Sequence, residues 1–347
     1  MLTTNLFPSD KESNLNVLFS DAKSSPGSIN TGVCSYQINS IFIAANSLGA
    51  RNLTQKTEVG KVTQYSYDTQ NRLIEVNNIS NPQASLQSKL IARYGYDPLD
   101  RRIWKEQYKS ADGQALAQPQ RTYYLYADEG LIAESTQAIT LTADGSVSAG
   151  AAPQITTQYG PRPGSEFTTG VLFVKTNNSN NQQSFAYLHH DHLQTPLQAT
   201  DKAGNEVWAA NYNAFGKAAI TTPAATANNP TINLNLRFPG QYLDEETGLH
   251  YNWHRYYDGE VGRYVTADPI GLLGGINSFA YLYGNPLNAI DYSGLDIDYA
   301  NHSVAAGFNH SKIVITPTNQ DFYTNDVRFQ NIDKNGKRFA TLGAGPN

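Results

Sequence analysis

The chain has 347 residues, of which 16% are charged, with a formal net charge of −5. That sparse and slightly acidic balance leaves no nucleic-acid footprint, and the longest apolar stretch, around Ile41 to Ala45, is far too short to span a bilayer. The lone Cys34 excludes an intramolecular disulfide framework and a cysteine-based zinc site.

Tyr is the unusual component, with 22 copies against 13 Phe and 3 Trp, beside 27 Gly and 16 Pro. Tyrosine suits half-buried sheet faces, and Gly and Pro supply turns, so an all-β protein of many short strands is expected. Residues 1–59 are rich in Asn and Ser, show no clear period and read as an irregular segment. Met1 to Asn5 lacks the basic start and apolar run of a signal peptide.

Periodicity begins near Gly60. Tyr65-Ser66-Tyr67-Asp68 leads to Asn71-Arg72-Leu73, and Tyr94-Gly95-Tyr96-Asp97 leads to Asp100-Arg101-Arg102. Corresponding residues are 29 apart (94 − 65). A third copy, Tyr124-Leu125-Tyr126 before Gly130-Leu131, lacks the Asp and Arg. Tyr-x-Tyr puts two rings on one face of a strand. Asp68 then opens a turn by accepting backbone N–H bonds, and Asn71 tolerates the turn geometry. Residues 60–186 therefore read as repeated hairpins that must stack edge to edge. Within them and beyond, residues 135–184 and 218–235 are so rich in Ala, Thr, Ser, Asn, Gly and Pro that they read as long loops. The tyrosines fit either a packed sheet or a glycan-binding aromatic surface.

Residues 187–295 hold the candidate chemistry. In His189-His190-Asp191-His192, alternation on a strand would put His190 and His192 on one face. Zinc would need further ligands from elsewhere, so packing or turn histidines are the simpler reading. His250, His254 and Asp258 recur every four residues, but their Tyr and Trp neighbours favour strand or turn over a helical ligand face. No metal or cofactor is expected. Two related pentapeptides stand apart: Asp268-Pro269-Ile270-Gly271-Leu272 and Asp291-Tyr292-Ser293-Gly294-Leu295, their acids 23 apart (291 − 268). Each Asp fits a turn cap. Held close, the two also fit an acid–base pair, because neighbouring carboxylates resist ionising together.

After Leu295 the texture shifts from Tyr to Asn and Asp. One strand is expected at Lys312 to Thr316, preceded by Asn309-His310. No Cys follows His310, so a cysteine nucleophile has no place there. Residues 296–347 read as a separate tip, and the closing Gly343 to Asn347 reads as a turn inside a longer chain.

The runs His189 to Leu193, Tyr212-Asn213-Ala214-Phe215-Gly216, Phe238-Pro239-Gly240-Gln241-Tyr242, Asp244 to Asn252, Arg255-Tyr256-Tyr257-Asp258, Gly262-Arg263-Tyr264, Asp268 to Leu272 and Gly284 to Asn288 occur in one fixed order. In that order they resemble the Rhs (rearrangement hot spot) associated core domain, found also in the C component of Tc toxins, and the upstream units resemble YD repeats. The resemblance covers about residues 60–295. It implies a YD-repeat β-sheet spiralling as part of an Rhs shell, with 187–295 as an autoprotease plug and 296–347 as a variable toxin tip. It also implies Asp268 and Asp291 as catalytic acids and the Leu295–Asp296 bond as the one cut; Arg263, five residues before Asp268, fits either a residue tuning that acid's charge or a structural ion pair. Implied partners are the chain's own C-terminal toxin segment, an upstream Rhs shell polypeptide, an immunity protein and a secretion apparatus. Synthesis in the bacterial cytoplasm and export without a signal peptide follow from the same likeness. Three departures stand out: Tyr292 replaces Pro, Gln194 replaces a usual Gly, and Gly259 replaces a common Pro. A non-catalytic binding or structural module is the alternative.

Overall fold

The computed structural model describes residues 52–127, 130–165, 167–177, 183–225, 231–295, 298–299, 329–332 and 338–342. Cys34, the Ile41 stretch, Asp296, His310 and the strand expected at Lys312 to Thr316 lie outside them. The described residues are almost wholly β, as the tyrosine-rich composition implies. Strands β1 (Gln55–Glu58), β2 (Lys61–Tyr67), β3 (Leu73–Asn78), β4 (Leu90–Tyr96), β5 (Arg102–Lys109), β6 (Ala115–Ala127) and β7 (Gly130–Leu141) begin one antiparallel sheet. It continues through β8 (Val147–Ala149), β9 (Gln154–Pro161), β10 (Val171–Asn177), β11 (Gln183–His190), β12 (Pro196–Thr200), β13 (Glu206–Tyr212) and β14 (Ala218–Ile220). The strands of this 14-stranded sheet lie in chain order, except that β8 pairs aside with β7. The sheet does not close into a barrel.

Two expectations are corrected here. The sheet starts at Gln55, inside the segment read as irregular. Most of 135–184 is strand, not loop: in β7, which pairs with β6 and β9, Ser135, Gln137, Ile139 and Leu141 are buried while Ala138 and Thr140 are exposed. Small polar residues satisfy a pleated surface without an aromatic signature, which is why composition misled.

The repeat turns follow their sequence. Asp68 Oδ1 accepts the Gln70 and Arg72 N–H groups at 2.9 Å, and Asn71 adopts φ 63°. Asp97 and Asp100, φ 61°, repeat this geometry. Gln194, where the family usually has Gly, also sits at φ 74° behind Asp191. The units are then tied sideways. Tyr67, Tyr96 and Tyr126 donate their hydroxyls to the carbonyls of Leu53, Leu73 and Arg102 at 2.7, 2.6 and 2.8 Å. Arg72 lies over the Tyr96 ring at 5.0 Å and Arg101 over Tyr126 at 5.2 Å.

The inner tyrosines Tyr65 and Tyr94 turn toward a second, four-stranded sheet of β15 (Tyr242–Asp244), β16 (Leu249–Asn252), β17 (Arg255–Asp258) and β18 (Arg263–Tyr264). Leu249, Tyr251, Tyr256 and Val265 of this insert share one buried cluster with Tyr65, Leu73, Val76 and Tyr94. Tyr242 joins a second cluster with Tyr124, Val174 and Trp208. A buried ion cluster crosses the same boundary. Arg102, 0% exposed, donates to Asp244 at 2.5 Å, while Lys105 reaches Asp244 at 3.0 Å and Glu246 at 3.1 Å. Five tyrosine rings, of residues 94, 124, 242, 251 and 256, lie within 6.0 Å of the Arg102 guanidinium. Burial pushes the Asp244 carboxyl up, but Arg102 and Lys105 outweigh it and hold it below its ordinary value. Glu246 has weaker support, and burial wins there, raising it.

Candidate active site

Hairpin β16–β17 has a two-residue turn, Trp253-His254, so its flanking residues Asn252 and Arg255 sit opposite each other in register. Trp253 takes φ 51°, as such tight hairpins require. Asn252 and Arg255 are both buried. Against this turn lies the loop carrying the second pentapeptide. Asn252 Nδ2 donates to the Asp291 carbonyl at 2.8 Å. The main-chain N–H and Nδ1 of His254 reach the Ser293 carbonyl at 3.1 and 3.0 Å, and Arg255 Nε donates to the Gly294 carbonyl. Gly294, φ 76°, is required here because a Cβ would stand 2.5 Å from the Asn252 carbonyl.

The two acids meet at Arg255. Its Nη1 lies 3.0 Å from Asp268 Oδ2 and its Nη2 lies 3.2 Å from Asp291 Oδ2. The guanidinium itself rests on the Tyr264 ring, 3.7 Å from its centroid. Each acid also caps its own turn: Asp268 Oδ1 accepts from Ile270 N–H at 3.0 Å, and Asp291 Oδ1 from Gly294 and Leu295 N–H at 2.7 and 3.1 Å. Turn cap and acid pair are thus one arrangement. Tyr264 OH adds a fourth donor to Asp291, at 2.7 Å. Burial raises both carboxyls above their ordinary value, against the pull of Arg255 on each. For Asp291 the proximity of Asp268 adds to the rise. Gly274 leaves room for Asp268, since a Cβ there would sit 2.3 Å from its Oδ2.

Arg263, the arginine expected to tune Asp268, points elsewhere: its guanidinium stacks 5.1 Å above Phe279. The residue doing that work is Arg255, thirteen positions before Asp268 (268 − 255), with Tyr264, Asn252 and His254 around it. Sequence spacing gave no reason to choose it. The histidine run disperses: His189 bonds Thr200 Oγ1 at 2.9 Å, His192 the Leu287 carbonyl at 3.0 Å, and Asp191 caps its turn. Among the described residues no group of three or more His, Cys, Asp or Glu side chains is placed to hold a metal.

A family model described as the teneurin YD-shell matches residues 169–273. Double-stranded DNA deaminase toxin A of Burkholderia cenocepacia is 34% identical over 255 residues, 72% of this chain and 16% of that protein. The probable deoxyribonuclease RhsB of Dickeya dadantii is 40% identical over 79 residues, 23% of this chain and 5% of its own length. In sequence the chain is similar to Rhs, or YD-repeat, proteins. The chain spans only a small share of the length of these two relatives. A crystal structure of TcdB2-TccC3-TEV aligns with 71% of it and 10% of that chain, at TM-score 0.46 and 19% identity. Arg255, Tyr264 and Asp268 fall inside the YD-shell match, whereas Asp291 and Leu295 lie beyond its end at residue 273. Among the described residues no helix is long and apolar enough to cross a membrane.

Proposed function

We propose that this chain is part of an Rhs-type toxin shell that cuts itself after Leu295 and frees the residues beyond as cargo. In this reading residues 60–186 are wall, 187–295 the plug, and 296–347 belong to a variable tip. The observation that carries it is the single guanidinium of Arg255 holding both Asp268 and Asp291, with Asp291 also gripping the Leu295 N–H. The bond proposed for cleavage therefore begins one residue from a carboxylate-bound amide.

The roles follow from hydrogen-bond capacity. Asp291 accepts four donors, which favours its ionised form, whereas Asp268 accepts two. The proton retained by the pair accordingly resides on Asp268. A water attacks the Leu295 carbonyl carbon and yields its proton to Asp291, whose longer contacts give way. Asp268 protonates the Asp296 nitrogen as the C–N bond breaks, leaving a Leu295 carboxylate and an Asp296 amine. Relatives named as a deaminase toxin and a deoxyribonuclease support a cargo-bearing role, though their activities are their own. An upstream shell polypeptide, an immunity protein and an export apparatus are the partners this role calls for.

Intact mass of the purified chain is the test. Loss of residues 296–347, abolished by Asp268→Asn, is expected; a folded chain that stays whole in every buffer would remove the protease reading and leave a structural module.

A further inference from the structure

The turn Arg237–Gln241 shares two features with the repeat turns: its first N–H donates to its fifth carbonyl (Arg237 to Gln241, 3.0 Å) and its fourth residue, Gly240, takes a positive φ of 86°, while its inner bond differs, running from Gln241 N–H to the Phe238 carbonyl at 2.8 Å. In the repeats its first and fifth positions hold an ion pair, Asp68 with Arg72 at 2.7 Å and Asp97 with Arg101 at 2.9 Å. Here the first position is the cation, the fifth is an amide, and the carboxylate is missing. Arg237 is nonetheless 4% exposed and Gln241 0%.

Arg237 Nη1 is used up on the Leu234 and Leu236 carbonyls at 2.7 and 2.8 Å, while the buried Nε–H has no partner. Among the described residues no carboxylate forms an ion pair with it. Glu245, the acid whose charge acts on it, accepts instead from Asn233 at 2.9 Å, and the other titratable groups that interact electrostatically with the guanidinium are Tyr212, Tyr242 and His250. Burial drives His250 down to about 3, so its ring is neutral. Its Nδ1 lies 2.6 Å from Gln241 Oε1 and uses that acceptor, which leaves the Gln241 Nε2 amide as a second buried donor without a partner. A buried cation with no counter-charge, beside an idle amide, is an arrangement that proteins relieve with an ion.

We propose that the Arg237–Gln241 turn binds a small monovalent inorganic anion, such as chloride, between Arg237 Nε–H and Gln241 Nε2–H. The site has a structural consequence. Gly240 lies directly under the Tyr292 backbone, where a Cβ would come within 2.4 Å of Tyr292 Cα. The anion thus steadies the turn on which the Asp291–Leu295 loop rests, whether or not that loop is cut.

The test uses the full chain, titrated with chloride against isethionate at constant ionic strength. Thermal unfolding midpoint and chloride-35 NMR line width are recorded together. A saturable rise of about 3–6 °C is expected at tenfold above half-saturation, with line broadening that nitrate competes away. Gln241→Glu supplies an internal carboxylate at the repeat-turn spacing. It should fold, start at a higher midpoint in isethionate and lose both responses. Arg237→Met should lose them as well. A wild-type midpoint indifferent to anion identity, or broadening equal in wild type and Gln241→Glu, would mean that water alone serves these donors and would overturn the proposal.

Discussion

Asp268 and Asp291 share one guanidinium, each bonded to a different terminal nitrogen of Arg255 at 3.0 and 3.2 Å. An arginine between two buried acids lowers their mutual repulsion without supplying a proton. That balance is testable from both sides.

Asp268→Asn preserves the Arg255 contact through the amide oxygen but removes the acid. Self-cleavage is expected to slow by about 10²-fold or more, with the unfolding midpoint nearly unchanged. Asp291→Asn should differ, because its amide cannot accept all four donors. Besides lost cleavage, about 1–3 kcal/mol of stability should disappear in urea unfolding.

Arg255→Met leaves both acids buried without their cation. A loss of about 3–5 kcal/mol is expected, partly restored in acidic buffer as the carboxyls take up protons. Arg263→Met, whose guanidinium lies over Phe279, should cleave at the wild-type rate.

The pH response has a defined sign. Both acids are raised, with burial as the main cause. Their contribution to stability is present below the ordinary carboxylate value of 3.8 and is lost as pH rises through the folded values. Cleavage, needing one proton on the pair, should follow a bell whose falling limb lies above pH 3.8. Stopped time courses analysed by mass spectrometry across pH 3–8 (roughly the span over which buried carboxyls titrate) would show it; a rate still climbing at the alkaline end would rule out Asp268 as the acid.

Where the insert meets the sheet, Asp244→Asn should cost about 3–5 kcal/mol, since Arg102 and Lys105 would remain buried with only Glu246 as counter-charge. In the repeats, Tyr96→Phe removes the bond to the Leu73 carbonyl and should cost about 1–2 kcal/mol. Denaturant midpoints would separate the two effects.

Local physics made the repeats readable from sequence alone. Tyr-x-Tyr, Asp68 and Asn71 act within five or six residues of one another, so alternation and turn chemistry dictated hairpins, and the 29-residue period dictated their stacking. The recurrence of Asp268 and Asp291 in like contexts marked the candidate acids for the same reason. Arg255, Tyr264 and Asn252 carried no such mark, because each meets the acids only after hairpin β16–β17 folds against the Asp291 loop. Arg102 likewise finds Asp244 across a separation of 142 residues, and no period or spacing encodes a contact that long. Tertiary structure alone chose which arginine faces the carboxylates, since a guanidinium's partner is set by where buried backbone lets it reach.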